Sequence, residues 1–195
     1  IKWYSWSKKT FQLAKKENKP VFVFITYPTC HFCMQMEQEV LSDSSVITLL
    51  NEQYISILVD KNLRPDIDMH FMEYAFALLG QAGWPLNLVL NHAQQPFFVA
   101  SYLPLLANSN YLGFRELFDS LAKTYQNDPN SIQNATDSIQ KVIEQHRSEQ
   151  TTNKQLDEEV IANLYYQMQK NYDARNGGFD QAPKFILPAN LSFLL

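Results

Sequence analysis

The sequence predicts an α/β fold, a central mixed sheet flanked by helices, and three observations lead to it. Two runs are rich in β-branched and aromatic residues and do not alternate with polar ones, from Val21 to Thr26 and from Tyr54 to Val59. Such runs are typical of strands buried on both faces. Stretches with helical periodicity alternate with them, which favours a parallel sheet. A turn then joins two apolar runs, Leu86 to Leu90 and Pro96 to Ala100, which predicts an antiparallel edge.

The first half of the chain predicts three helices around the first strand. Ser7 is suited to cap a helix with lysines on its outer face and two apolar residues on the inner one, Phe11 and Ala14. A second helix begins at Cys30 and carries apolar residues at helical spacing, Cys33, Met36 and Val40. Asp43 or Ser44 can cap a third helix.

Two more helices are predicted around the later strands. Asp66 is a suitable cap for a helix that Gly80 ends and whose apolar face is Ile67, Phe71, Tyr74, Ala75 and Leu78. Gly113 precedes a strongly amphipathic helix. The resulting order of helices and strands is that of a thioredoxin-like fold with one additional helix after the helix that begins at Cys30.

The composition changes after this pattern. Residues 126–164 contain no aromatic residue, although 13% of the chain is aromatic. We therefore expect a thioredoxin-like domain over residues 1–127 and a helix with a linker over 128–154. Residues 155–195 are expected to begin a second, α-helical domain that is truncated.

Charge and length exclude several classes of protein. The chain has 195 residues and a net charge of −4, without the basic patch that nucleic-acid binding requires. Its apolar runs are far shorter than the ~20 residues that span a bilayer, so we expect no membrane segment. The predicted partners are proteins, together with the helical domain of the same chain.

Two cysteines, Cys30 and Cys33, are the predicted catalytic residues. A bridge over two intervening residues contributes little loop entropy, so the pair suits redox chemistry better than stabilisation of the fold. Cys30 would lie at a helix N-terminus, which favours a thiolate, and would act as the nucleophile. Cys33 would resolve the mixed disulfide. His31 either tunes the Cys30 thiolate or has no role, and both readings stay open.

Other uses of the cysteines are less well supported. Attachment of haem would need a histidine where Met34 stands. A structural zinc needs four ligands, and the remaining histidines are isolated. We therefore predict no metal, with a metal bridged between two chains as the remaining alternative. No cofactor is needed, because electrons can arrive as thiols of a redox partner protein.

Three further residues are predicted to bind substrate. Phe32 can shape a surface for a partner protein. Trp84 and Pro85 begin a strand, and a cis bond there would leave backbone groups free to pair with an extended substrate; sequence alone leaves cis and trans open. A charged cluster is assigned to capping and local ion pairs, Asp60, Arg64, Asp66 and Asp68.

Several motifs together resemble one family, the spermatogenesis-associated thioredoxin-domain proteins. They are Lys19-Pro20, Cys30-His31-Phe32-Cys33, Val59-Asp60, Arg64-Pro65-Asp66-Ile67-Asp68, Gly83-Trp84-Pro85-Leu86, Gly177-Gly178-Phe179 and Ala182-Pro183-Lys184-Phe185. In that family a thioredoxin-like domain precedes a glycosidase-like helical toroid. The resemblance implies that Cys30 and Cys33 are the redox pair, that Pro85 is cis, and that the toroid begins near residue 156. The chain departs from the family at Phe32, usually Trp, and at Met34, usually His.

These observations give a functional prediction and one alternative. The prediction is a thiol–disulfide oxidoreductase acting on protein disulfides. The alternative is a non-catalytic thioredoxin-fold scaffold in a larger protein whose activity, on carbohydrate, lies in the missing helical domain. Ile1 and Leu194-Leu195 have the character of cut or processed ends. A cytoplasmic location is slightly favoured, and a periplasmic or secreted one follows if a signal peptide was removed.

Overall fold

Five strands form one mixed sheet in the computed structural model, which describes residues 1–107, 112–150, 158–179, 184 and 188–194. The sheet has the order β1-β3-β2-β4-β5. The strands are β1 Trp3–Tyr4, β2 Val21–Thr26, β3 Ile55–Asp60, β4 Leu86–Leu90 and β5 Pro96–Ala100. The chain divides into two compact units, Ile1–Gln150 and Thr151–Leu195, and the sheet belongs to the first.

Helices cover both faces of this sheet. They are α1 Lys8–Glu17, α2 His31–Met36, α3 Ser44–Gln53, α4 Pro65–Leu79, α5 Phe114–Asn127 and α6 Pro129–Gln150, and a π-helical segment, Glu37–Leu41, continues α2. With a buried parallel pair, an antiparallel edge and a Cys-x-x-Cys segment at the start of α2, this is a thioredoxin-like fold, as predicted. The additional helix is α3.

Strand β2 is the centre of the sheet, and all six of its residues are buried. It pairs with β3 in parallel, Val21 opposite Ile55, and with β4 in antiparallel, Val21 opposite Leu90. Its side chains alternate between two apolar clusters. A strand that packs on both faces needs apolar residues at every position, which explains the uninterrupted run VFVFIT.

One face of the sheet packs against α2, α3 and α5. Phe22 meets Phe118 edge to face, with ring centroids 5.1 Å apart, and Phe118 stacks on Phe114. The Tyr54 hydroxyl donates a hydrogen bond of 2.6 Å to the Phe118 carbonyl, so it ties the end of α3 to α5. Such aromatic pairs add to the burial energy of their surfaces.

Several predicted helix ends are confirmed. The Ser7 side chain accepts the Thr10 N–H at the start of α1, and the Asp43 carboxylate accepts the N–H groups of Ser45 and Val46 at the start of α3. Gly80 ends α4 in the left-handed conformation, φ 69°.

Two expectations about local structure are corrected. Asp66 does not cap α4, because the helix begins at Pro65 and Arg64 is the cap residue. Proline suits the first helical position, where its fixed φ fits and no N–H is needed. The helix therefore begins before Asp66, the residue predicted to cap it. Strand β1 was not predicted, because two residues show no periodicity; it exists by pairing with β3, Trp3 opposite Ser56.

Helix α6 packs on the other face of the sheet. Ile143 is fully buried in the cluster that α1 and α4 share with that face. The Arg147 guanidinium makes two bonds of 2.7 Å to the Glu73 carboxylate on α4. The predicted domain boundary after residue 127 stays a prediction, and the predicted linker residues 151–154 lie outside the described residues.

The second unit contains α7 Glu158–Asn171 and α8 Pro188–Leu194. After α7, the Asp173 carboxylate accepts the Arg175 and Asn176 N–H groups and the Lys184 ammonium. The Lys184 bond is the first of the causes that hold the pKa of Asp173 far below its usual range. Ala182, Pro183 and Phe185 lie outside the described residues.

Replacement of Ile143 by alanine tests whether α6 is part of the sheet unit. We expect Ile143→Ala to lower the free energy of unfolding by about 2–5 kcal/mol, because it leaves a cavity in a buried apolar cluster. Urea unfolding followed at the tryptophans, all of which lie outside α6, measures this. Val142→Ala, a half-buried neighbour on the same helix, is the control and should cost less. Equal midpoints for both variants and the parent would show that α6 folds independently of the sheet.

The Arg147–Glu73 pair gives a pH prediction. The bond from Arg147 lowers the pKa of Glu73, so the pair stabilises the fold at neutral pH and its contribution disappears as acid protonates the carboxylate. Because both groups are partly exposed, we expect Glu73→Gln to cost about 0.3–1 kcal/mol at pH 7 and almost nothing at pH 3. Urea midpoints at both pH values measure the difference. Glu37→Gln, at an exposed carboxylate, is the control, and a pH-independent effect of Glu73→Gln would contradict the prediction.

Candidate active site

The cysteine pair lies where β2 gives way to α2. Cys30 is the N-cap residue of α2 and forms a disulfide with Cys33, with Cα atoms 5.2 Å apart. The Cys30 sulfur accepts the Cys33 backbone N–H at 3.1 Å. The Cys30 N–H donates to the Tyr27 carbonyl at 3.1 Å, which fixes the turn before the helix. The local order of strand, Cys-x-x-Cys and helix is therefore as predicted.

Cys30 is more buried than its predicted role as a nucleophile implies, whereas Cys33 was expected to lie beneath it. Cys30 is 3% exposed and Cys33 is 1% exposed, and both belong to the apolar cluster under α2. The sequence led us to expect an accessible Cys30, because it begins a helix. The half-buried rings of Tyr27 and Trp84 pack against the same cluster, and helix position alone does not reveal such cover.

The peptide bond between Trp84 and Pro85 is cis. This decides between the two conformations that the sequence left open and agrees with the family resemblance. Pro85 is buried and leads directly into β4. Because β4 is antiparallel to β2, with Leu86 opposite Ile25, the start of β4 lies beside the end of β2 that leads to Cys30.

Phe32 and His31 lie on the outer side of the pair. Phe32 is 57% exposed, and its ring lies 6.5 Å from that of Tyr102. This exposure fits the predicted contact surface for a partner. His31 is exposed and its ring is 5.3 Å from the Phe32 ring, edge to face. A tuning role for His31 stays a prediction.

Tyr102 extends this outer side through a polar contact. Its hydroxyl donates a 3.0 Å hydrogen bond to the Glu39 carboxylate, which Gln35 also contacts at 3.1 Å. Burial, and then the bond to the Glu39 carboxylate, raise the pKa of Tyr102. The phenol therefore stays neutral near pH 7 and can act only as a hydrogen-bond partner or an apolar surface.

Trp84 has surroundings that sequence reasoning missed. Its indole N–H donates a 2.8 Å hydrogen bond to the Asp68 carboxylate, and the Lys61 ammonium lies 3.6 Å from the centre of its ring. Tyr27 meets it edge to face at 5.5 Å. Asp68 was assigned to local ion pairs with the rest of the charged cluster. No periodic signal connects a residue on α4 to one that precedes β4.

The other members of the charged cluster do make local bonds. Asp60 accepts the Asn62 backbone N–H at 2.8 Å, and Arg64 makes a two-point contact with Asp66. That contact lowers the pKa of Asp66. These bonds fit the structural role predicted for the cluster, and Asp68 is the member that reaches the site.

Asn87 is a buried amide on the same side of the sheet as α2. Its Nδ2 donates to the Ser101 carbonyl at 2.6 Å and lies 3.5 Å from the Met36 sulfur, one helical turn beyond Cys33. Its Oδ1 is buried without a hydrogen-bond partner. Asn87 lies in the apolar run LNLVL, and one polar residue does not disturb that pattern, so nothing in the sequence singles it out.

Two classes of feature are absent from the described part of the chain. No group of three or more histidine, cysteine, aspartate or glutamate residues lies together there in a way that could hold a metal ion. Among the same residues, no helix has the length and apolar character needed to cross a membrane.

Comparison with known proteins gives consistent matches. The model of the family described as "Protein of unknown function, DUF255" and labelled Thioredox_DsbH matches residues 1–144. The chain is 33% identical over 195 residues to the uncharacterized protein B0495.5 of Caenorhabditis elegans, covering all of this chain and 26% of that protein. It is 32% identical over 197 residues to spermatogenesis-associated protein 20 of Homo sapiens, covering all of this chain and 25% of that protein. The chain thus spans about a quarter of the length of these relatives.

Two solved structures align with part of this chain. A DsbH oxidoreductase aligns with a TM-score of 0.44 and 19% identity, over 64% of this chain and 83% of that one. A thioredoxin from Thermus thermophilus aligns with a TM-score of 0.47 and 18% identity, over 67% of this chain and 91% of that one.

Proposed function

We propose that this chain, which belongs to the family described as "Protein of unknown function, DUF255", as the resemblance predicted, is a thiol–disulfide oxidoreductase acting on protein disulfides. The observation that supports this most is the Cys30–Cys33 disulfide at the start of α2, beside the cis bond of Trp84–Pro85. A disulfide that closes only two residues is a poor staple and a suitable electron carrier.

The first step is attack by reduced Cys30 on a substrate disulfide. The Cys30 thiolate forms a bond to one substrate sulfur, and the substrate S–S bond breaks. The other substrate sulfur leaves as a thiolate and takes a proton from solvent. The product is a mixed disulfide between Cys30 and the substrate.

The second step resolves this intermediate. The Cys33 thiol loses its proton and attacks the Cys30 sulfur, which releases the second substrate thiol and forms the Cys30–Cys33 disulfide seen in the structure. Two electrons have then moved from the protein to the substrate. A dithiol of a partner protein must return two electrons to start another cycle.

The geometry favours Cys30 as the attacking residue. Its sulfur accepts the Cys33 N–H at the start of the helix, an interaction that favours a negative sulfur. It lies at the turn before the helix, whereas Cys33 lies within the helix. Cys33 lies in the first turn of α2, close enough to have formed the bond.

The assigned roles predict unequal alkylation of the reduced protein. We expect iodoacetamide at pH 7 to modify Cys30 at least about tenfold faster than Cys33, because the thiolate is the reactive form and the start of α2 favours the thiolate at Cys30. Mass spectrometry of digests after timed quenching measures both rates. Equal rates at the two sulfurs, or a Cys30 no faster than a free thiol, would contradict the assignment.

Turnover on a protein disulfide is the direct test. We expect the protein to accelerate reduction of insulin by dithiothreitol, and Cys30→Ser to abolish the acceleration because no nucleophile remains. Cys33→Ser should instead accumulate a mixed disulfide with insulin, visible on a non-reducing gel. An identical rate for the parent and Cys30→Ser would sink the proposal.

The low exposure of Cys30 favours a second candidate function. A buried pair agrees with a non-catalytic thioredoxin-fold binding or scaffold module in which the cysteine pair is incidental. On this alternative, Cys33→Ser traps no partner from a cell extract, while the intact protein still retains one on an affinity column. On this alternative, the activity of the whole protein lies in a region that corresponds to the part of its relatives that this chain does not cover, about three quarters of their length.

A further inference from the structure

We infer that Asp68 and Lys61 are positioning residues that fix the Trp84 indole at the rim of the redox site and thereby determine how well a protein disulfide docks. This inference rests on the proposed function. It concerns Asp68 of the charged cluster and the nearby Lys61, neither of which takes part in the two-step mechanism.

Three groups hold the indole from different directions. The Asp68 carboxylate accepts its N–H at 2.8 Å. The Lys61 ammonium covers its face at 3.6 Å. The Tyr27 ring meets it edge to face, with centroids 5.5 Å apart. An aromatic side chain has two rotatable bonds, so an anchor at the nitrogen and a cation on the face together leave it one orientation.

The burial of Asp68 shows that its contact is specific. Asp68 is only 8% exposed, and burial of a carboxylate is costly unless a hydrogen-bond donor satisfies it. Its position in the first turn of α4, at the positive end of the helix dipole, lowers that cost. Asp66, two residues earlier on α4, is exposed and bonds to Arg64 instead. The two carboxylates therefore form a natural pair of test and control.

Lys61 connects this arrangement to the cysteines. Its ammonium lies over both rings, 3.6 Å from the centre of Trp84 and 4.4 Å from that of Tyr27. Its backbone N–H donates to the Thr26 carbonyl at the end of β2. The Tyr27 carbonyl in turn accepts the Cys30 N–H. One continuous set of contacts thus runs from α4 through the indole to the residue that carries the nucleophile.

The consequence concerns docking rather than bond exchange. Trp84 precedes the cis bond to Pro85, is half-buried, and packs against the apolar cluster that contains Cys30 and Cys33. A substrate chain that approaches Cys30 meets this side chain, whereas a disulfide of a few atoms can react with much less contact. Loss of the anchor should therefore affect a protein disulfide more than a small one.

The experiment measures single turnover of the pre-reduced full chain with two oxidants, insulin and cystamine, by rapid acid quenching, alkylation and mass spectrometry of the chain itself. The redox state of the chain is followed because the exchange leaves the total number of free thiols unchanged. We expect Asp68→Ala to raise the half-saturating insulin concentration roughly tenfold, as for loss of a charge-assisted hydrogen bond, with a smaller effect on the limiting rate. The ratio of the insulin to the cystamine rate constant should fall by a similar factor. Asp68→Asn, which keeps an acceptor oxygen, should restore most of the ratio.

Matched controls separate positioning from general damage. Asp66→Ala removes a neighbouring carboxylate of the same helix and should leave the ratio unchanged. Lys61→Met keeps the length of the side chain but removes the charge, and should lower the ratio by less than Asp68→Ala does. Lys15→Met, on the exposed face of α1, should not change it.

A second readout keeps the inference independent of turnover. Acrylamide quenching of tryptophan fluorescence, compared with Trp84→Phe to isolate the Trp84 signal, should increase in Asp68→Ala and return in Asp68→Asn. Equal loss of the insulin and cystamine rates in Asp68→Ala, or an unchanged ratio, would overturn the docking role. Absence of any thiol exchange in the parent would overturn the proposed function and the docking role with it, while the quenching result would still decide whether Asp68 fixes the indole.

Discussion

The complete burial of β2 is the constraint on which the site depends. Since both faces of this strand are covered, its pairing partners are fixed in register as well as in identity. Thr26 lies opposite Asp60 at the end of parallel β3, and Ile25 lies opposite Leu86 at the start of antiparallel β4. The residue after β3, Lys61, and the residues before β4 are therefore brought to the segment that leads from β2 to Cys30. Three segments distant in sequence meet there because of one strand.

The sequence contains this constraint in readable form, which is why the fold could be predicted. An apolar run without alternation implies two covered faces, and covered faces imply helices on both sides. The short strand β1 and the π-helical segment after α2 were not predictable in this way, because neither has a period of its own. Each depends on a neighbour that the pattern of one segment does not describe.

The same distinction, between features of one segment and features that depend on its neighbours, applies to the residues of the site. Cys30 and Cys33 were recognisable in the sequence from their spacing and from the strand before them. The contacts of Trp84 with Asp68 and Lys61 depend on side-chain directions across three elements, and local rules assigned Asp68 to its own helix. The burial of Cys30 was missed for a related reason, since Cys30 belongs to an apolar cluster built from several elements. Local chemistry was readable from the sequence, and the distant groups that surround it were not.

The position of the disulfide inside an apolar cluster also links electron transfer to folding. Cys30 and Cys33 pack with the residues that hold α2 against the sheet. The oxidised and reduced chains each have their own folding equilibrium, and a thermodynamic cycle connects these equilibria to the tendency of the pair to accept electrons. Any substitution in that cluster that stabilises one redox form more than the other must shift this tendency by the same free energy. The hydrophobic core under α2 is thus a determinant of the redox poise of the protein, even at positions that never approach a substrate.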